Sequence, residues 1–256
     1  MTNQPNGVAP QTPESNVDVD QLKSQEPKQN LATKLVDLAL QNGTLFHTED
    51  KKGYITIGQE HYPIMGSEFK SKLCALAYKK DKTTYPPTTV ETALQQLEAN
   101  ALYDSDIDKV WTRTATKDGK DYLDLHGAVV EISKDGWTVI PGPPVKFVRP
   151  TGSKPLPAPQ HSENGLQLLY KYVNLQSKKD RILFLVCLLQ TLRSKGPYAI
   201  LNIDGVQGSC KSTTSRVFKA LTDPNKNPLQ SFPESVQDLW LTASDQKVLV
   251  LDNLSF

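Results

Sequence analysis

The run from Tyr198 to Thr214, YAILNIDGVQGSCKSTT, sets tight limits on what this chain can become. An apolar stretch through Ile200, Leu201 and Ile203 leads into a loop with glycines at 205 and 208, and the loop closes on Lys211-Ser212-Thr213. Buried parallel strands read as continuous apolar runs. Glycine lets the following backbone curl until several N–H groups point inward. A helix beginning near Lys211 adds its positive amino-terminal end. Together these parts suit the phosphates of a nucleotide. Lys211 is placed to reach the β- and γ-phosphates, and the Ser212 hydroxyl to ligate Mg²⁺. Gly205, Val206, Gln207, Gly208, Ser209, Cys210, Lys211 and Ser212 follow the pattern G-x-x-x-x-G-K-[ST] with one departure, Cys210 at the second glycine; Thr213 completes the expected contact set. A Gly-Ser turn between a strand and an ordinary helix would use the same residues. The apolar run before the loop and the helical pattern after it, with Val217, Phe218 and Leu221 on one face, favour the phosphate loop.

A second element lies downstream. Lys247-Val-Leu-Val-Leu-Asp252 is an apolar run ending in an acid, the form of a Walker B strand. An acid at the carboxyl end of a parallel strand sits at the ligand-binding edge of its sheet. There Asp252 would share with Ser212 the Mg²⁺ of a bound ATP.

From Tyr198 to Ser255 the chain resembles the ATPase cores of phage and mobile-element replication proteins, the primase-helicase class. The blocks that carry the likeness are GVQGSCKSTTSRVFKALTDP, SVQDLWLTASD and VLVLDNLS. The short gap from Lys211 to Asp252, with a helix expected around residues 236–243, is similar to superfamily-3 helicases of the AAA+ group. YLDL at residues 122–125, Gly136-Trp137 and PVKFVRPTGSKPLPAP also look similar to those proteins. The resemblance implies a DNA-acting ATPase, a homo-oligomeric and hexameric ring, and catalytic roles for Lys211, Asp252 and Asn253. Asn253 stands where many such ATPases place a second acid. An amide orients a water but takes no proton, so the general base is not identified.

With net charge +1, no global basic signature marks a nucleic-acid binder, and local patches must carry any DNA contact. The candidates are Lys70, Lys72, Lys79, Lys80 and Lys82, or Lys178, Lys179 and Arg181; such clusters are more often a solvated helix face. Cys74, Cys187 and Cys210 form no C-x-x-C pattern, in keeping with a reducing cytoplasm. The four histidines have no metal-ligand spacing. Residues 182–189 are too short to span a bilayer, so no membrane partner is expected.

The expected fold class is an α+β amino-terminal module followed by the first part of an α/β, AAA+-like P-loop NTPase sheet. Residues 1–30 are polar and expected to be a disordered tail. Residues 31–140 read as the small α+β domain, with helices at 31–41, 67–79 and 88–102. One hairpin joins 45–48 to 54–57, and two more turn on Asp-Gly at 118–119 and 135–136. Residues 141–160, with seven prolines, read as an extended connector. Residues 161–256 form the partial ATPase domain, with helices at 166–173 and 180–192, the second apolar nearly all round and expected to be buried. The chain stops four residues past Asp252, where further strands, sensors and an arginine finger are expected in this class, so the sequence reads as a fragment or an early-ended product. Alternative readings are a nucleotide-binding or assembly module without turnover and, last, a small-molecule phosphotransferase.

Overall fold

The structure is a computed structural model that describes residues 1–2 and 30–253. The expected tail at residues 3–29 and the last three residues lie outside the described part. The architecture is α+β, built on antiparallel sheets with one short parallel pair.

Helix α1 (Leu31–Asn42) starts where the Asn30 side chain accepts a bond from the Ala32 N–H at 3.1 Å, satisfying one of the amides a helix start leaves open. Leu35, Leu38 and Ala39 recur at helical spacing and are buried. Strands β1 (Thr44–His47), β2 (Gly53–Ile57) and β3 (Glu60–Pro63) form an antiparallel sheet in that order. Helices α2 (Ser67–Asp81) and α3 (Pro87–Asp104) cover it, burying Phe69, Leu73 and Ala77 and, from α3, Val90, Leu94 and Leu97. Gly53 is required by close approach: its N–H donates to Glu98 Oε1 at 2.8 Å, and a Cβ there would meet Glu98 Oε2 at 2.5 Å.

Strand β4 (Val110–Trp111) precedes a meander of β5 (Thr114–Lys117), β6 (Lys120–Asp124), β7 (Val129–Ser133) and β8 (Gly136–Ile140). The two Asp-Gly turns fall where expected, between β5 and β6 and between β7 and β8. The proline-rich stretch carries β9 (Lys146–Phe147), which pairs in parallel with β4 and buries Val145 and Phe147 against Ala115, Tyr122 and Val129.

Helices α4 (Gly165–Tyr172), α5 (Lys178–Thr191), α6 (Lys211–Thr222) and α7 (Val236–Ser244) follow. Their core is small: Val173, Phe184 and Phe218 are buried, and the two phenylalanine rings meet edge to face at 5.3 Å. Three expectations are corrected here. Residues 247–252, expected as a Walker B strand of a parallel sheet, carry an isolated bridge at Leu251 and no strand. Helix α5 is not buried all round, since Ile182, Leu183, Val186 and Leu189 are exposed and only Phe184 is fully covered. Residues 200–203 carry no strand ladder, and Ile200 is 96% exposed. A parallel strand needs hydrogen-bonded neighbours to hold it, and among the described residues none lies beside this run. No helix among the described residues is long and apolar enough to cross a membrane.

Candidate nucleotide site

The loop between residue 204 and α6 is shaped by three left-handed positions, Gly205 (φ 154°), Gly208 (φ 81°) and Cys210 (φ 63°, ψ 27°). The last explains why glycine belongs there. For a residue with a Cβ this conformation costs about 1–2 kcal/mol, and Cys210 adopts it as the residue before the helix, with no side-chain cap. Its thiol is exposed and donates to the Gly208 carbonyl at 3.8 Å. At Gly205 a Cβ would meet Ser209 Oγ at 2.8 Å, so one of the two would have to shift.

The first helical bond at this end runs from the Thr214 N–H to the Cys210 carbonyl at 2.9 Å, so the amides of Lys211, Ser212 and Thr213 precede the ladder. Lys211 folds back over the loop, and its ammonium donates to the carbonyls of Gly205 at 2.6 Å and Val206 at 2.9 Å. Ser209 Oγ is buried with no hydrogen-bond partner among the described residues, and the Ser209 carbonyl accepts from Asn174 Nδ2 at 3.2 Å. Val206 and Gln207 sit at the exposed tip.

Ser212 and Asp252 come together across forty residues: the hydroxyl donates to Asp252 Oδ1 at 3.1 Å. Asp252 is aimed by its own backbone. The Asp252 N–H donates to the Gln230 carbonyl at 2.8 Å and the Gln230 N–H to the Val250 carbonyl at 3.0 Å, a parallel bridge at Leu251. A hydroxyl and a carboxylate are the oxygen donors that Mg²⁺ prefers. The loop, the helix start and this pair fit a magnesium–nucleotide complex in donor chemistry. Asn253 follows at φ 57°, a left-handed position that asparagine tolerates.

The far end of the same helix holds residues that the sequence pattern did not signal. Leu221, expected on the apolar face, is exposed, while Lys219 is fully buried. Lys219 Nζ donates to Asp223 Oδ2 at 2.9 Å, to Gln246 Oε1 at 2.8 Å and to the Val248 carbonyl. Asp223 Oδ2 also accepts from the N–H groups of Lys247, at 2.9 Å, and Val248, at 3.2 Å. Burial works to raise the Asp223 carboxyl, but Lys219 and these donors outweigh it and hold it below the usual carboxylate range. The i,i+4 spacing of Lys219 and Asp223 is the one feature that could have hinted at the pair.

The lysines named as DNA candidates have local partners in part. Lys70 pairs with Glu91, Lys80 bonds Gln41, and Arg181 stacks on Tyr170 while donating to the Leu175 carbonyl. Among the described residues no cluster of three or more His, Cys, Asp or Glu is placed to hold a metal ion. No protein-family model matches the chain, and no curated protein matches it.

Proposed function

We propose that this chain binds MgATP at a P-loop formed by residues 205–213 and belongs to an α/β NTPase domain. The observation that carries this is the Ser212–Asp252 hydrogen bond, which joins the helix start after the loop to the end of the apolar run, the arrangement that a shared metal between a Walker A hydroxyl and a Walker B acid would need. Lys211 lies over loop carbonyls that a bound phosphate would compete with for its ammonium. The amides of residues 211–213 and the Lys211 ammonium would hold the phosphates, and Ser212 and Asp252 the metal. Magnesium would supply charge neutralisation of the β- and γ-phosphates when bound.

The wider role rests on the resemblance: a helicase-like ATPase of a phage or mobile-element DNA replication system, acting on DNA as a homo-oligomeric, hexameric ring. A cytoplasmic setting is part of the same proposal, and the three free thiols are in keeping with it. A second reading, a nucleotide-binding or assembly module without turnover, is favoured by Asn253, whose side chain takes no proton.

Calorimetry with MgATP tests the site. Wild type should bind, and Lys211→Ala should lose about ten- to a hundredfold in affinity, the usual worth of a charge-assisted contact. Equal affinity in the two proteins rejects the P-loop assignment.

A further inference from the structure

Arg113 belongs to the amino-terminal module, between β4 and β5, yet its side chain is 1% exposed and ends against Asp223, at the end of α6 opposite the candidate nucleotide site. Its Nε donates to Asp223 Oδ1 at 3.2 Å, Nη1 to the Asp124 carbonyl at 3.0 Å, and Nη2 to Ser153 Oγ at 2.9 Å and the Lys154 carbonyl at 2.8 Å. One guanidinium thus joins the meander, the proline-rich segment and the end of α6. Its own backbone is left-handed, with φ 62°, a conformation that costs energy in a residue with a Cβ and persists only where the surroundings fix it.

Asp223 is the link onward. One oxygen takes Arg113; the other takes Lys219 and the amides of Lys247 and Val248. Residues 247–252 are therefore tied to α6 at both ends, by Asp223 and Lys219 at the start and by Ser212 on Asp252 at the finish. Around this point Asp124 is held by Arg149, through Nε at 2.8 Å and Nη2 at 2.9 Å, and His126 Nε2 bonds Ser153 Oγ at 3.0 Å. The junction is reinforced by backbone: the Lys154 N–H donates to the Pro224 carbonyl and the Lys226 N–H to the Gly152 carbonyl, both at 2.9 Å.

We infer that Arg113 is a positioning residue for the phosphate site, setting through Asp223 the placement of the segment that presents Asp252. The inference rests on the nucleotide reading of Ser212 and Asp252. The donors of a buried carboxylate shared between two cations and two amides reinforce one another, so losing one loosens its geometry. Removing Arg113 frees Oδ1, and the Asp223 carboxylate can then turn away from the amides of Lys247 and Val248. The amino-terminal module thereby contributes to a site that contains none of its own residues.

Amide hydrogen exchange and MgATP calorimetry on the full chain test this with Arg113→Gln, the milder Arg113→Lys, and Leu97→Ala as a variant that weakens the amino-terminal core without touching the junction. In Arg113→Gln, exchange across residues 247–252 should rise about tenfold or more, with a smaller rise in Arg113→Lys. Leu97→Ala, even with a comparable loss in Tm, should leave that segment unchanged. MgATP affinity should fall in step with exchange in the Arg113 variants and hold in Leu97→Ala. An unchanged segment in both Arg113 variants, or an equal rise in Leu97→Ala, overturns the positioning role. Wild type that binds no MgATP overturns the nucleotide reading, while the exchange comparison still decides whether Arg113 places the segment.

Discussion

Replacing Lys219 by Met keeps most of the buried aliphatic stem and removes the ammonium. Three acceptors lose a donor: Asp223 Oδ2, Gln246 Oε1 and the Val248 carbonyl. Breaking a buried ion pair from one side costs about 3–5 kcal/mol. Asp223 keeps Arg113 and two amides, so the cost belongs at the lower end, about 3 kcal/mol. Urea unfolding measures it, and a chain of this size should melt about 6–12 °C lower. Leu221→Ala, on the exposed face of the same helix, should change stability by about 0.5 kcal/mol at most. Acid sharpens the contrast. The Asp223 carboxyl is held low in the fold, so its stabilisation is present above its unfolded value and is lost as pH falls through the folded one. Without the ammonium that carboxyl titrates higher, and acid unfolding of Lys219→Met should begin at higher pH. A Lys219→Met protein within about 1 kcal/mol of wild type, at equal m, would refute the buried network.

Cys210→Gly should stabilise the chain by about 1 kcal/mol, because it relieves a left-handed residue and gives up an exposed thiol; an unchanged or lower urea midpoint would count against the loop geometry. His61 is pushed down to about 4, first by burial and then by Lys146 and Arg149. Its neutral form is the folded one, so stability should fall by about 2 kcal/mol as pH drops from 6.5 to 4, allowing for solvent at a half-buried ring. His61→Gln should flatten that slope in urea titrations across the window, leaving the smaller share of His126, which burial also lowers.

Helical spacing gives the amino-terminal module its legible part: Val90, Ala93, Leu94, Leu97 and Ala101 recur at that spacing and are the buried face of α3. The Asp-Gly turns were legible because few residue pairs take positive φ so readily. The β4–β9 pair was not legible, because two-residue strands show no alternation and β9 lies among prolines. Lys219 escaped notice because a buried lysine depends on a partner supplied by the fold, here Gln246 and the Val248 carbonyl. Around the site, the pattern pointed to Lys211, Ser212 and Asp252 as partners, and the structure brings Ser212 and Asp252 within 3.1 Å. The apolar run at 200–203 suggested a buried strand from composition alone; strand pairing depends on neighbours, which its own residues do not encode.

If Ser212 and Asp252 hold Mg²⁺ as one unit, their effects on nucleotide affinity must be coupled, and a double-mutant cycle reads that coupling. Affinity for ADP would be measured with Mg²⁺ and with a chelator in wild type, Ser212→Ala, Asp252→Asn and the double variant. Each single change should weaken binding about tenfold with Mg²⁺ and little without it, and the double variant should be little worse than either single one. Additive losses, or losses that persist when the metal is removed, would contradict a shared magnesium site.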